Sequence, residues 1–120
     1  MASGTIHSNI EQYADLTSNL PSEVTGYNNN GVKVRRSGNV VTIYLSIKDI
    51  SGNNNAKGLV NILPDWANPV TTLNPVRATI SAIMSDGSAT GITEVNLNGR
   101  SLTIYFGNTK YAIGFITYVV

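Results

Sequence analysis

The chain contains no cysteine and few charged residues, and both shortages exclude classes of protein. Without cysteine there is no disulfide framework, no thiol nucleophile and no thiolate metal site. Charged residues make up 12% of the 120 residues and the net charge is +1, which is too balanced for the clustered Lys and Arg that bind nucleic acid or anionic membranes. No apolar run reaches the roughly 18 residues of a transmembrane helix. We expect neither a nucleic-acid partner nor membrane insertion.

Signals for catalysis and targeting are scarce as well. His7 is the only histidine, and no GxSxG nucleophile elbow accompanies it. No spacing among the seven carboxylates pairs two of them across a cleft, as a glycosidase requires. EF-hand, HExxH and Walker sequences are absent. The first residues, MASGTIHSN, lack the basic and apolar regions of a signal peptide. These observations predict a protein that is not an enzyme and has no cofactor or metal.

What the chain has instead is Asn, Ser, Thr and Gly, which suit strands and turns because Ser and Asn compete with the helical backbone. The length suits one domain over residues 1–120, and we expect residues 1–12 to form a loosely ordered N-terminal segment of it. Ser8-Asn9-Ile10-Glu11 fits the capping box of a short helix. Residues 13–20 fit a first strand equally well.

Residues 32–47 predict a hairpin with one buried face, because apolar residues recur at every second position on both sides of a turn. The apolar set is Val32, Val34, Val41, Ile43, Leu45 and Ile47. A turn at Ser37-Gly38 or at Gly38-Asn39 keeps this set on one face, since the two registers differ by an even step.

Residues 94–106, EVNLNGRSLTIYF, predict a second hairpin. Asn98-Gly99 is a preferred pair for a two-residue type I′ loop. Such a loop sets Leu97 opposite Arg100. The apolar residues that then share a face are Val95, Leu97, Leu102 and Ile104.

Further strands are predicted over residues 56–63, 76–84 and 110–120, with a turn at Asp86-Gly87. Residues 63–76 contain three of the four prolines and are expected to form a long ordered loop rather than a central strand. About seven short strands with regular turns predict an all-β fold, an antiparallel β-sandwich.

Between residues 13 and 120 several short motifs follow one another in a distinctive order. The first motif is a basic residue followed by a Gly-Asn turn and a strand that begins with Val-Val. The second is Leu-Pro followed by an aromatic residue and a proline. The third is a glycine before a Leu-x-Ile strand, followed by a last strand that contains glycine. The matching residues are Arg35, Arg36, Gly38, Asn39, Val40, Val41, Leu63, Pro64, Trp66, Pro69, Gly99, Leu102, Ile104 and Gly114. This order resembles the C-terminal head domains of phage tail and baseplate proteins. The LPDWANP segment departs from the family, which often has Gly and Arg before the proline.

The resemblance implies a jelly-roll-like sandwich that forms a homotrimer at the tip of a phage tail or baseplate, assembled in the host cytoplasm. It implies other tail proteins as partners and a host cell-wall saccharide as receptor. Two alternatives come from other classes. One is a virion module for trimerisation or baseplate docking without a ligand, and the other is a cellular carbohydrate-binding module.

Trp66, the only tryptophan, is the first candidate for saccharide contact. Its ring could stack on a sugar face while Asp65 and Asn68 bind hydroxyl groups. The alternative is a loop anchor that fills the end of the sandwich. Arg36 is a further candidate, as a hydrogen-bonding fork for a glycan phosphate or a partner carboxylate. The alternative is that Arg35 or Arg36 pairs with a carboxylate or with backbone carbonyls at the sheet edge.

Two weaker features complete the prediction. The Asn tracts at 28–30 and 53–55 fit polar contact loops or solvated turns. The last strand is apolar in both phases, with Ile113 and Phe115 in one and Ile116 and Tyr118 in the other. A strand that is apolar on both sides should be covered on both sides, which favours a homotrimer.

Overall fold

The computed structural model describes residues 11–51, 56–69, 74–83, 88–107 and 109–120, and over these ranges the protein is all-β and antiparallel, consistent with the predicted β-sandwich. Within the described ranges the strands are β1 (Glu11–Asp15), β2 (Val24–Gly26), β3 (Val32–Ser37), β4 (Val40–Asp49), β5 (Lys57–Leu59), β6 (Val76–Ile83), β7 (Ala89–Asn98), β8 (Ser101–Tyr105) and β9 (Tyr111–Val119). Two single-turn 3-10 helices, Thr17–Asn19 and Asp65–Ala67, lie between strands. Among the described residues no helix is long and apolar enough to cross a membrane.

The strands hydrogen-bond in the order β1-β3-β4-β9-β6-β7-β8-β5, with β2 beside β4. β4 and β9 pair along most of their lengths, from Val40↔Val119 to Lys48↔Tyr111. β9 and β6 pair only from Ser81↔Ile113 to Ile83↔Tyr111. The sheet therefore curls at this short seam into a half-barrel, with β1, β3, β4 and β9 on one side and β5–β8 on the other.

The core lies inside the curl and joins the two sides. The inward positions of both predicted hairpins are almost fully buried: Val32, Val34, Val41, Ile43, Leu45, Ile47, Val95, Leu97, Leu102 and Ile104. This confirms the buried face predicted for each hairpin. Burying a side chain of this size stabilises a fold by about 1.5–3 kcal/mol, so these seams supply much of the driving force.

Gly114 lets the two sides approach at the seam. It lies on β9 where β6 turns away, and a Cβ atom added there would be 2.7 Å from the Ile80 Cβ. Real Cβ atoms do not approach so closely, and Ile80 Cβ belongs to the rigid base of its side chain. A residue without a side chain is therefore required at this position.

The first hairpin turns at Gly38-Asn39, one of the two predicted registers, because Ser37 pairs with Val40. Gly38 has φ 60°, a left-handed conformation that favours glycine.

The second hairpin turns one residue later than predicted. Asn98 pairs with Ser101, so the loop is Gly99-Arg100 and Leu97 lies opposite Leu102 rather than Arg100. Gly99 takes the first loop position with φ 60°, and its amide donates to Asn74 Oδ1 at 2.7 Å. The register differs from the predicted one by two residues, an even step, so the same face is buried.

The remaining predictions have mixed outcomes. Of the two N-terminal alternatives, the structure has a strand, but β1 spans Glu11–Asp15: only residues 13–15 of the predicted 13–20 belong to it, and Thr17–Asn19 form a 3-10 turn. Residues 11 and 12, expected to be loosely ordered, are paired in β1, whereas residues 8–10 of the capping box lie outside the described ranges. Residues 57–59 alone form the strand expected over 56–63, while β6 and β9 confirm the other two. Loop 63–76 is not a strand where it is described, except that β6 begins at its last residue. His7, Asn53–Asn55 and the Asp86-Gly87 turn lie outside the described residues.

Candidate functional site

Three side chains donate hydrogen bonds to backbone carbonyls of the loop that carries the predicted site, residues 61–69. Arg36 Nη1 donates to the Trp66 carbonyl at 3.2 Å, and the Tyr118 hydroxyl donates to the Ala67 carbonyl at 2.5 Å. Arg100 Nε donates to the Leu63 carbonyl at 2.6 Å. A loop with little regular structure leaves carbonyl groups without ladder partners, and these side chains satisfy them.

Trp66 is half-buried and packs against the hydrophobic core. Asp65 and Asn68 lie in or beside the same 3-10 turn and are exposed, the Asp65 side chain to 95%. The three candidate residues therefore lie at one turn, but the indole packs on the core whereas the two polar side chains face solvent. These contacts are those of a loop anchor.

The two adjacent arginines, Arg35 and Arg36, have different partners. Arg36 faces the interior side of β3, where its Nε donates to the Gly38 carbonyl at 2.7 Å and its Nη1 reaches the loop. Arg35 faces solvent and pairs with Glu11 at 3.0 Å, both side chains being more than half exposed. Both arrangements match the structural alternative, in which arginine binds backbone carbonyls or a carboxylate at the sheet edge.

Arg100 is a loop-holding residue that sequence reasoning missed. Besides its bond to Leu63, its Nε lies 3.5 Å from Asp65 Oδ1. Arg100 occupies the second position of the Gly99-Arg100 loop, and the one-residue error in the predicted turn had placed it opposite Leu97 in the strand.

A second candidate site lies on the solvent side of β1, β3, β4 and β9, which we call the outer face. A groove of about 300 Å³ crosses this face. Its lining residues, called the aromatic groove below, are Tyr13, Lys33, Val34, Arg35, Thr42, Tyr44 and Phe115.

The strand register brings the rings of the aromatic groove together. Tyr44 pairs with Phe115 across β4 and β9, and their ring centroids are 4.9 Å apart at an angle of 46°. Phe115 is 64% exposed and Tyr13 is 63% exposed. Thr42 lies two residues before Tyr44 on β4, and its hydroxyl oxygen is 3.4 Å from that of Thr117. Rings that contact each other lose little side-chain freedom when a ligand stacks on them.

The two charged residues that line the aromatic groove, Lys33 and Arg35, are cationic, and each has a carboxylate on the neighbouring strand β1. Arg35 is neutralised by Glu11. Lys33 lies opposite Asp15 in the β1–β3 register. The Thr17 hydroxyl, which donates to Asp15 Oδ1 at 2.7 Å, and then the Thr17 amide lower the pKa of Asp15, and Lys33 lowers it further. The lowered pKa means that Asp15 stays ionised to a lower pH than an isolated aspartate.

Two features of the described residues bear on other chemistries. No group of three or more His, Asp or Glu side chains in the described ranges could hold a metal ion. The Asn28–Asn30 tract forms a tight turn with Asn28 at φ 54° and Asn29 at φ 60°, and the Asn30 side-chain Nδ2 donates to the Asn28 carbonyl at 3.2 Å. That geometry suits the solvated-turn alternative.

Comparison with known proteins gives no match, either to a protein-family model or to a curated protein.

Proposed function

We propose that the chain is a non-enzymatic head domain of a phage tail or baseplate that binds a host-surface saccharide as a homotrimer. The observation that supports saccharide binding most directly is the aromatic groove, where Tyr44 and Phe115 form an exposed pair of rings. The order of motifs along the chain supports the phage assignment.

The groove has the components that a sugar ring requires. The C–H-rich face of a pyranose packs on an aromatic ring, and Phe115 offers such a face. The Thr42 hydroxyl and the Lys33 ammonium at its border can exchange hydrogen bonds with sugar hydroxyls. A single site of this kind binds weakly, and three sites in one trimer raise the affinity through effective concentration.

The groove is a better site than the loop around Trp66. The indole packs on the core, so its stacking surface is partly used, and the Arg36 guanidinium donates to backbone carbonyls. Asp65 and Asn68 are exposed, but Asp65 already lies 3.5 Å from Arg100 Nε, and the loop brings no exposed ring beside either residue.

Self-association is favoured by apolar residues on the solvent side of the fold. Val40 and Val119 are exposed and pair with each other at the hairpin end of β4. Neighbouring exposed apolar side chains are a common mark of a subunit interface. The same residues favour a second candidate function, a virion module that trimerises and carries no ligand.

Binding to an array of bacterial surface polysaccharides and oligosaccharides tests the proposal. Phe115→Ala and Tyr44→Ala should lose binding while keeping the fold, and Tyr105→Ala, which removes an exposed ring from β8, should retain it. Light scattering measures the mass in solution. A trimer that binds no saccharide supports the virion module, and a mass of one chain at micromolar concentration contradicts the trimer.

A further inference from the structure

The aromatic groove has a counterpart further along β4 and β9. In the first row Lys33 lies beside Tyr44, and Tyr44 lies beside Phe115. In the second row Lys48 lies opposite Tyr111, with its Nζ 5.6 Å from the centre of that ring. The second row also has a ring pair, since the Tyr27 and Tyr111 centroids are 4.4 Å apart. Each row therefore combines two contacting aromatic rings with one lysine.

The two rows lie on the same face at a fixed spacing. Tyr44 and Lys48 are four residues apart on β4, and Tyr111 and Phe115 are four residues apart on β9. Residues an even number apart on a strand share a face, and four residues extend about 13 Å. On this face the Ser46↔Ile113 pair lies between the rows, and Ser46 is buried there, with its hydroxyl donating to the Tyr27 carbonyl at 3.1 Å.

Charge indicates what kind of ligand covers these rows. Neither Lys33 nor Lys48 lies within 4 Å of a carboxylate among the described residues, whereas Arg35 and Arg77 are ion-paired. A protein partner would have to bury both ammonium groups; Lys33 has Asp15 opposite it on β1, but Lys48 has no carboxylate within 4 Å among the described residues, so its burial would be costly. A sugar chain instead presents hydroxyl and ring oxygens to both lysines and leaves them hydrated.

We infer that the outer face binds a linear glycan whose sugar units occupy both rows at once. This inference rests on the proposed function and specifies its ligand as an extended chain rather than a terminal sugar. One monosaccharide is shorter than the separation of the rows, so it can occupy only one of them. Affinity should therefore rise with the number of sugar units until both rows are filled.

Calorimetry with linear cello-, chito-, malto- and mannooligosaccharides of one to six units tests the inference. In the series that binds, the hexasaccharide should bind about tenfold more tightly than the disaccharide, the gain expected from a second aromatic contact. Tyr111→Ala should reduce hexasaccharide affinity about tenfold and leave disaccharide affinity within about twofold. Tyr111→Phe keeps the ring and should keep the length dependence, and Tyr105→Ala is the matched exposed control.

The failures of the two proposals are distinguishable. Equal affinities for disaccharide and hexasaccharide, or an unchanged length dependence in folded Tyr111→Ala, would overturn the two-row glycan and leave a one-row saccharide site. Absence of binding to every member of the four series, by protein whose thermal unfolding shows it to be folded, would overturn the two-row glycan. If the polysaccharide array also gave no binding, saccharide recognition itself would fall.

Discussion

Arg36 holds Trp66 through its backbone: Arg36 Nη1 donates to the Trp66 carbonyl oxygen at 3.2 Å, while its Nε donates to Gly38 in the hairpin turn. One guanidinium thus ties the loop of residues 61–69 to the end of β3. The fork of donors on arginine is suited to two carbonyls at once, which a lysine ammonium cannot match in fixed geometry.

Replacing Arg36 by Met should lower the free energy of unfolding by about 1–3 kcal/mol, because the carbonyls of Gly38 and Trp66 lose their charged donor. Arg35→Met is the matched control, since its exposed pair with Glu11 contributes less than about 1 kcal/mol. Urea unfolding of both variants measures the difference. Equal losses would show that the loop does not depend on Arg36.

Tyr118→Phe should lower the free energy of unfolding by about 1–2 kcal/mol at neutral pH, because the Ala67 carbonyl loses its hydrogen bond. Burial raises the pKa of Tyr118 above its ordinary value. A raised pKa in the folded state contributes stability that is present below about pH 10 and is lost as the pH rises further.

The wild-type unfolding free energy should therefore fall more steeply above pH 10 than that of Tyr118→Phe, by up to about 1.4 kcal/mol per pH unit. Urea unfolding at several alkaline pH values measures both slopes. Tyr105→Phe, which removes a solvent-facing phenol, should behave like the wild type. Identical slopes in wild type and Tyr118→Phe would contradict the burial of the Tyr118 hydroxyl.

Gly114→Ala should destabilise the fold by about 1–3 kcal/mol, because the new methyl group would collide with the Ile80 Cβ at the seam between β6 and β9. Gly58→Ala is the control: its new Cβ would meet only Val60 Cγ2, at 3.8 Å, and the change should cost nothing or stabilise slightly. Thermal unfolding compares the two. A tolerated alanine at Gly114 would mean that the two sides of the half-barrel are further apart.

Trp66→Ala and Phe115→Ala should separate stability from binding. Trp66 packs on the core, so its loss should lower the unfolding free energy by about 2 kcal/mol or more. Phe115 is 64% exposed, and its loss should cost less than about 1 kcal/mol. Saccharide binding should depend on the other residue: Phe115→Ala should weaken it more than Trp66→Ala when both variants are compared at a temperature at which each is folded.

The sequence predicted the parts of the fold that depend on local pattern. Alternation marked the buried faces of both hairpins, and those faces survive the one-residue error at Gly99 because the register moved by an even step. The turn position itself was beyond local pattern, since Asn74, from a distant loop, binds the Gly99 amide. The same reason applies to Arg100, whose partners are the carbonyls of a loop far away in sequence.

The aromatic groove could not be predicted from alternation alone. Tyr13, Tyr44 and Phe115 come from three strands, and only the long-range β4–β9 pairing places the last two side by side. The available signal was that Phe115 belongs to the outward phase of a strand whose inward phase is already apolar. That signal predicted that the outward side of the last strand is covered, but it did not show that β4 lies beside that strand.

Amide chemical shifts of ¹⁵N-labelled protein, titrated with the oligosaccharide that binds most tightly, test the location of the saccharide site most directly. The largest changes should fall on Lys33, Thr42, Tyr44 and Phe115, around the aromatic groove. Changes confined to residues 65–68, with the outer face unaffected, would contradict the assignment of saccharide binding to this groove.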